Sequence, residues 1–172
     1  MNRKKQFNGL ILGLLTLLLL SGCSVKYSFT GASIPPEVKT INIQYFPNNA
    51  SLVEPALSEK LTNSLRDKFS SETNLVLVTE GGDLILEGSI TNYRTQPVAI
   101  QGDDQAALNR LTITLDVVYT NTVDDEMSFD SKFSRYADYS SEQNLADVQE
   151  VLIEEINEML VTDIFNKAVI NW

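Results

Sequence analysis

The chain has 172 residues, a net charge of −10, no histidine and one cysteine. Residues 1–22 have the pattern of an export signal, and removing them leaves 150 residues with ten basic and 23 acidic side chains, a net charge of −13. This length suits one domain that buries a core without disulfides. The acidic balance excludes nucleic acid as the main partner. The missing histidine and the single cysteine exclude Ser-His-Asp and Cys-His catalysis, zinc sites and internal disulfides.

The amino-terminal segment carries the most specific signal. Three basic residues at positions 3–5 precede an apolar run from Phe7 to Leu20. This run suits a signal peptide and is short for a transmembrane helix, which needs about 20 residues. Leu20-Ser21-Gly22-Cys23 resembles the bacterial lipobox, where signal peptidase II cleaves before a cysteine that carries diacylglycerol. We therefore predict a lipoprotein signal peptide over residues 1–22 and acyl chains such as palmitate on Cys23. An uncleaved anchor, or an ordinary signal with a free thiol, is the alternative.

The residues after the cysteine predict the location and the attachment of the domain. Ser24 stands where an aspartate would resemble the inner-membrane retention signal of enteric bacteria. The next residues lack the acidic pattern of lipoproteins that some Bacteroidetes export to the cell surface. We therefore predict a lipid anchor on the periplasmic side of the outer membrane. Residues 23–39, with Gly31 and Pro35-Pro36, are predicted to form an extended arm, because a residue before proline avoids the helical region.

The remaining chain alternates between strand-like and helical apolar patterns. Two helices are predicted: one opens at Ser51 with Glu54 in a capping box, and one runs from about Asn144 to Val169. Five segments have the alternation or short apolar run of a strand: Thr40–Phe46, Leu75–Thr79, Leu84–Val98, Leu111–Val123 and Met127–Tyr136.

The order of these elements predicts an α+β fold. We expect a two-layer sandwich over residues 40–172, with two helices packed on one face of a mixed four- to five-stranded sheet. The first crossover makes the first two strands parallel, and the alternation of polar residues leaves the other face of the sheet uncovered. Tyr45 is expected on the apolar face of the first strand and Tyr93 on the polar face of the third. Pro97 is expected to end regular pairing.

No pattern of catalysis or metal binding stands out. The acidic clusters at 103–104 and 124–126 lack the alternate oxygens and the turn glycine of a calcium loop. Any two of 23 acids could be nominated as a catalytic pair, and no S-x-x-K stretch with the right context occurs. We therefore predict a protein that is not an enzyme and that has no metal and no cofactor.

Two surface features are candidates for binding. Polar residues on the uncovered face of the sheet, predicted either to dock another protein or only to meet water, are Thr91, Thr112, Thr114, Asp116 and Thr120. Arg94 and Arg110 flank the loop at 97–107 and would suit the phosphates of an anionic lipid, because arginine binds phosphate through two parallel hydrogen bonds. The alternative is that both arginines only make the surface soluble.

Several stretches of the chain resemble the LptE family of lipopolysaccharide-assembly lipoproteins, in the form found in Bacteroidetes. The similarity runs from the lipobox to the carboxyl end. The stretches that carry it are 27–31 (YSFTG), 34–40 (IPPEVKT), 44–48 (QYFPN), 65–69 (LRDKF), 86–90 (LEGSI), 163–168 (DIFNKA) and 171–172 (NW).

The resemblance implies a fold of two helices against a four-stranded sheet and a non-enzymatic role. Members of this family plug the lumen of LptD, a large outer-membrane β-barrel, help that barrel to assemble, and contact lipopolysaccharide. The resemblance thus makes an LptD-like barrel the expected partner, with Arg94 and Arg110 as candidates for lipopolysaccharide contact. The alternative is a periplasmic lipid-anchored lipoprotein that binds a ligand or scaffolds another envelope complex.

Overall fold

The computed structural model describes residues 34–52, 54–98 and 108–169. The predicted signal peptide, Cys23, most of the arm and the loop residues 99–107 lie outside the described residues. The described chain has two helices, α1 (Pro55–Glu72) and α2 (Leu145–Val169), and a short 3-10 turn at Asp125–Met127. Its five strands are β1 (Thr40–Ile43), β2 (Val76–Val78), β3 (Leu84–Val98), β4 (Leu108–Asn121) and β5 (Phe129–Ser140).

The five strands form one mixed sheet in the order β2-β1-β3-β4-β5. β1 lies between two parallel neighbours, β2 and β3. β3, β4 and β5 form an antiparallel meander with long ladders. The predicted α+β fold with a mixed sheet is confirmed, and so is the parallel pairing of β1 with β2 across α1.

Both helices lie against the same face of the sheet and bury it. α1 contributes a four-residue repeat, Leu57, Leu61, Leu65 and Phe69, each at most 1% exposed. α2 buries a wide apolar stripe that includes Ile156, Ile164 and Phe165. The rings of Phe69 and Phe165 meet edge to face with centroids 5.1 Å apart, which joins the two helices.

The first strand is shorter than predicted, and its apolar face changes phase. β1 ends at Ile43, and Tyr45, expected on the apolar face, is 57% exposed, whereas Phe46 is fully buried. Phe46 packs over Gly88 of β3, where a Cβ atom would come within 2.7 Å of its ring. The missing side chain at position 88 therefore creates the space that Phe46 fills, and the chain shifts by one residue to reach it.

The start of α1 also differs from the prediction. Glu54, not Ser51, is the N-cap, and its carboxylate accepts a hydrogen bond from the Ala56 N–H at 3.3 Å. Pro55 follows as the first helical residue, a position that tolerates proline because its missing N–H has no helical partner there. The capping box predicted from Ser51 is therefore wrong, although its glutamate is the residue that caps the helix.

A β-bulge corrects the face assigned to Tyr93. The register with β4 shifts between Ile90 and Asn92, so Thr91 is the extra residue. The shift returns Tyr93 to the helix-covered face, where it is only 3% exposed. Pairing also continues through Pro97 to Val98, opposite Leu108, so the expected end at Pro97 is wrong.

Candidate functional site

One side of the sheet has no helix over it, and we call its β3, β4 and β5 residues the open face. Along β4 the side chains alternate strictly: Leu111, Ile113, Leu115 and Val117 are fully buried, and the residues between them are half-buried on the other side. The open face comprises Ile85, Glu87, Ser89, Thr91, Asn92, Arg94 and Gln96 of β3; Arg110, Thr112, Thr114, Asp116, Val118 and Thr120 of β4; and Asp130, Lys132, Ser134, Tyr136 and Asp138 of β5.

Hydroxyl groups form the centre of the open face. Thr114 and Ser134 are cross-strand partners, and their hydroxyl oxygens are 2.9 Å apart. The Thr91 hydroxyl, at the bulge, donates to the Thr114 carbonyl at 3.4 Å. A hydroxyl can both donate and accept and can rotate to suit its partner. This region can therefore hydrogen-bond to a second polar surface without leaving a charge unpaired.

The charges of the open face nearly balance although the chain is acidic. It carries four acidic residues (Glu87, Asp116, Asp130 and Asp138) and three basic ones (Arg94, Arg110 and Lys132). Lys132 binds the carboxylate of Asp116 across the strands. By contrast, α2 has six acidic residues and one lysine, and Glu150, Glu154, Glu155 and Glu158 are exposed. The negative charge is thus concentrated on the outer surface of α2, away from the open face.

Arg110 is already engaged at one end of the open face. Its Nε and Nη2 donate to the two oxygens of Asp138 at 2.7 and 2.8 Å, and its guanidinium carbon lies 3.5 Å from the centre of the Tyr136 ring. The hydrogen bond with Asp138 raises the pKa of Arg110 and lowers that of Asp138. Arg110 can still stack and present its remaining N–H groups, but an incoming anion has to compete with Asp138.

Arg94 differs from Arg110 in having no ion pair within the described residues. Arg94 pairs with Thr112, and Gln96 pairs with Arg110 two positions further along the ladder. Because side chains alternate along a strand, both arginines lie on the open face. Side chains at such diagonal positions are about 7–8 Å apart at Cα. The structure therefore brings the two arginines predicted from the sequence together, on the strand ends that lead to residues 99–107.

Two further residues were not among the predicted site residues. Tyr136 was predicted only as the end of a strand, yet it is 50% exposed and forms the aromatic platform for Arg110. Asp83 holds the start of β1: its Oδ2 accepts from the N–H groups of Lys39 and Thr40 at 2.8 and 2.9 Å. Its position after two glycines was the available signal, because such turns often place an aspartate next to free backbone N–H groups.

Metal-binding groups and membrane-spanning helices were both sought among the described residues. No group of three or more acidic or cysteine side chains in residues 34–52, 54–98 and 108–169 is placed to hold a metal ion. Nor is either helix in this part of the chain long and apolar enough to cross a membrane.

The fold is that of a small α+β protein with a polar sheet surface that no helix covers. A family model described as LptE, lipopolysaccharide-assembly, matches residues 38–168. The chain therefore belongs to the LptE family of lipopolysaccharide-assembly proteins. No curated protein sequence matches the chain.

Three solved structures are similar in outline. An uncharacterized lipoprotein B from Nitrosomonas europaea has 14% identity and a TM-score of 0.48, covering 83% of this chain and 87% of that one. A minor lipoprotein from Acinetobacter baumannii has 15% identity and a TM-score of 0.45, with coverages of 78% and 92%. A hypothetical protein from Chlamydia trachomatis has 7% identity and a TM-score of 0.49, with coverages of 76% and 98%. The family assignment rests on the family model alone.

Proposed function

We propose that the protein is an outer-membrane lipoprotein subunit of the lipopolysaccharide translocon, and that it acts as plug and assembly partner of an LptD-like β-barrel. The observation that carries this proposal is the open face: a nearly charge-balanced, hydroxyl-rich sheet surface on a member of the LptE family. Its action is by docking, and we predict no catalytic activity and no cofactor.

The chemistry of the open face suits the inside of a barrel. The interior of a transmembrane β-barrel is polar, so a partner in the lumen has to satisfy hydrogen bonds over a wide area. Thr91, Thr112, Thr114, Asp116 and Thr120 offer hydroxyl and carboxylate groups for this purpose. Because Asp116 is paired with Lys132, the centre of this surface can dock without burying an unpaired carboxylate.

The lipid anchor belongs to the same proposal. Cys23, acylated after removal of residues 1–22, would hold the domain at the periplasmic side of the outer membrane. Confinement to a membrane raises the effective concentration of the protein near a barrel in the same bilayer. Docking of moderate intrinsic affinity would then suffice for a stable complex.

Contact with lipopolysaccharide is the least direct part of the proposal. Arg94 is the better candidate, since its guanidinium has no ion-pair partner among the described residues. Arg110 would contribute with the N–H groups that Asp138 leaves unused. We expect Arg94→Ala to reduce lipopolysaccharide binding by the purified protein more than Arg110→Ala does. Lys60→Ala on α1 is the control, because Lys60 lies on the helix layer and pairs with Glu150.

Co-purification tests the docking proposal. Tagged full-length protein extracted in mild detergent should carry a large barrel with it. Thr114→Arg places a long charged side chain at the centre of the open face and should prevent co-purification of the barrel. Glu155→Arg, on the exposed side of α2, makes a larger change of charge and should leave the complex intact. Recovery of the unsubstituted protein only as a free monomer would contradict the proposal.

Two further measurements separate the anchor from the transport role. Cys23→Ala should abolish incorporation of labelled palmitate and release the protein from the membrane fraction. Depletion of the protein should lower both the amount of assembled barrel and the lipopolysaccharide at the cell surface. Normal levels of both after depletion would rule out the transport role even if the lipid anchor is present.

The alternative of a ligand-binding lipoprotein predicts an apolar pocket between helices and sheet. Side chains from both layers fill this space instead, among them Phe69, Leu115 and Phe165, each at most 1% exposed. This packing favours docking over ligand binding. A scaffold of another envelope complex would be recognised by the same co-purification, because the partner recovered would not be a barrel.

A further inference from the structure

The two outer edges of the sheet differ in how they are protected. An exposed edge strand can pair with another chain, and natural proteins usually blunt it with charges or cover it. β5 carries Lys132 and Arg135, and Lys167 of α2 lies over the Phe129 ring at 4.8 Å. β2 has the sequence Val-Leu-Val without a charge. β5 is therefore protected, and β2 is not.

β2 is also unusually exposed for an apolar strand. Val76 is 60% exposed and Leu77 is 39% exposed. The Val76 N–H donates to the Lys39 carbonyl of β1 at 2.8 Å, which directs the backbone groups of Val76 inward. Successive residues of a strand point their backbone groups to opposite sides. The N–H and C=O of Leu77 therefore point outward, where the described residues provide no strand.

The described chain begins beside this edge. A cleft of about 510 Å³ lies at the start of β2, with Leu75 on one wall and Ile34 and Pro35 on the other. The Val38 N–H donates to the Pro35 carbonyl at 3.0 Å, forming a turn just before β1. Ile34, the first residue that the structure describes, therefore lies at the amino end of β2.

The sequence before Ile34 has the pattern of a strand. Val25, Tyr27 and Phe29 alternate with Lys26, Ser28 and Thr30, and a glycine follows at position 31. Aromatic and β-branched residues in such alternation favour strands. Six extended residues span about 20 Å, more than the length of β2.

We propose that residues 25–30 pair with the free edge of β2 as a sixth strand, antiparallel to β2, and cover Val76 and Leu77. The direction follows from the topology, because a segment that leads to the amino end of β2 runs opposite to β2. The added strand accepts and donates at the outward N–H and C=O of Leu77. Residues 25–30 would thus be part of the sheet. This inference does not depend on the proposed partner or on lipidation.

Hydrogen exchange on the full-length protein in detergent tests the proposal. The Leu77 amide should be protected, as an amide in a ladder is. The double substitution Ser28→Pro/Phe29→Pro removes two successive N–H groups, one of which must face β2, and should abolish this protection. Ser28→Thr/Phe29→Val keeps the N–H groups and should preserve it. A Leu77 amide that exchanges freely in the unsubstituted protein would overturn the proposal.

Cross-linking identifies the occupant of the edge. Leu77→Cys combined with Phe29→Cys should give a disulfide within one chain, found by mass spectrometry of the monomer. Val123→Cys, on the exposed turn after β4, combined with Phe29→Cys is the control and should not cross-link. A disulfide-linked dimer would assign the edge to a second copy, and a cross-link to another protein would assign it to a partner strand. Either result would overturn the proposal.

Discussion

Leu115 and Asp116 are neighbours in β4, yet they belong to surfaces with different requirements. Leu115 is fully buried beneath the helices, whereas Asp116 lies on the open face beside Lys132. The covered face is apolar, tightly packed and specified by volume. The open face is polar, nearly charge-balanced and not covered by the helices. Stability is therefore expected to depend on one side of each strand, while the other side remains free to change for a partner.

The largest expected effect is on the covered face. Leu115→Ala should lower the free energy of unfolding by about 3 kcal/mol, because it removes buried methyl groups and leaves a cavity. Thr114→Ala, one residue along on the open face, should change it by less than about 0.5 kcal/mol. Chemical denaturation measures both. Similar losses from the two variants would show that the faces do not differ as described.

A second comparison adds a group instead of removing one. A Cβ at Gly88 would lie 2.3 Å from the Asp116 carbonyl oxygen and 2.7 Å from the Phe46 ring. Gly88→Ala should therefore cost about 2 kcal/mol through overpacking. Ser89→Ala, which points to the open face, is the matched control and should unfold like the unsubstituted protein. Unchanged stability of Gly88→Ala would mean that Phe46 can move without loss.

Acid should weaken the hydrogen bonds by which Asp83, in the turn before β3, holds the start of β1. Hydrogen bonds from the Lys39 N–H, and then from Thr40, lower the pKa of Asp83. A lowered pKa means that the stabilising contribution is present above the ordinary pKa of the carboxyl group, about 3.9, and is lost as the pH falls through the lowered value. Asp83→Asn should therefore reduce stability at pH 7 and lose this difference in acid.

Unfolding curves of Asp83→Asn and of the unsubstituted protein between pH 7 and strong acid provide the measurement. Glu80→Gln, in the same turn, is the control, because Glu80 is exposed and has no such contacts among the described residues. If the difference in the free energy of unfolding between Asp83→Asn and the unsubstituted protein stays constant down to the lowest pH, this role of the Asp83 carboxylate is contradicted.

The smallest effect is expected from the ion pair of the open face. Asp116 and Lys132 are 48% and 63% exposed in their side chains, and pairs this exposed are usually worth no more than about 0.5 kcal/mol. A double-mutant cycle with Asp116→Ala and Lys132→Ala should give a coupling of this order that disappears in 1 M salt. A coupling that persists at high salt would mean that this pair stabilises the fold as the covered face does.

The sequence predicts the elements where the apolar period is uninterrupted. The bounds of β3 match the prediction from Leu84 to Val98, and α2 begins one residue later than expected. The bounds of β4 and β5 differ from the prediction by two to four residues at each end. The errors of face occur where contacts with other strands interrupt the apolar period. Tyr45 and Tyr93 were placed on the wrong faces because the room above Gly88 and the bulge at Thr91 exist only once β1, β3 and β4 have paired.

The candidate site was predictable in composition but not in its contacts. The alternation in β4 predicts a polar face with Thr112 and Thr114, as found. Arg110 was singled out as a lone charge, but it binds Asp138, 28 residues away in sequence. Only the antiparallel register of β4 and β5 places them together, and no local pattern encodes that register.

The position of β1 has a mechanical consequence. A pull on the chain ahead of Ile34 that passes the proposed sixth strand would load the amino end of β1, which lies between two parallel neighbours. A load along that strand shears the hydrogen bonds on both sides at once, together with those that Asp83 accepts from Lys39 and Thr40. Bonds loaded side by side share the force, whereas bonds at a peeled edge break in turn. Among the described strands, β1 is thus the one best placed to resist being drawn out.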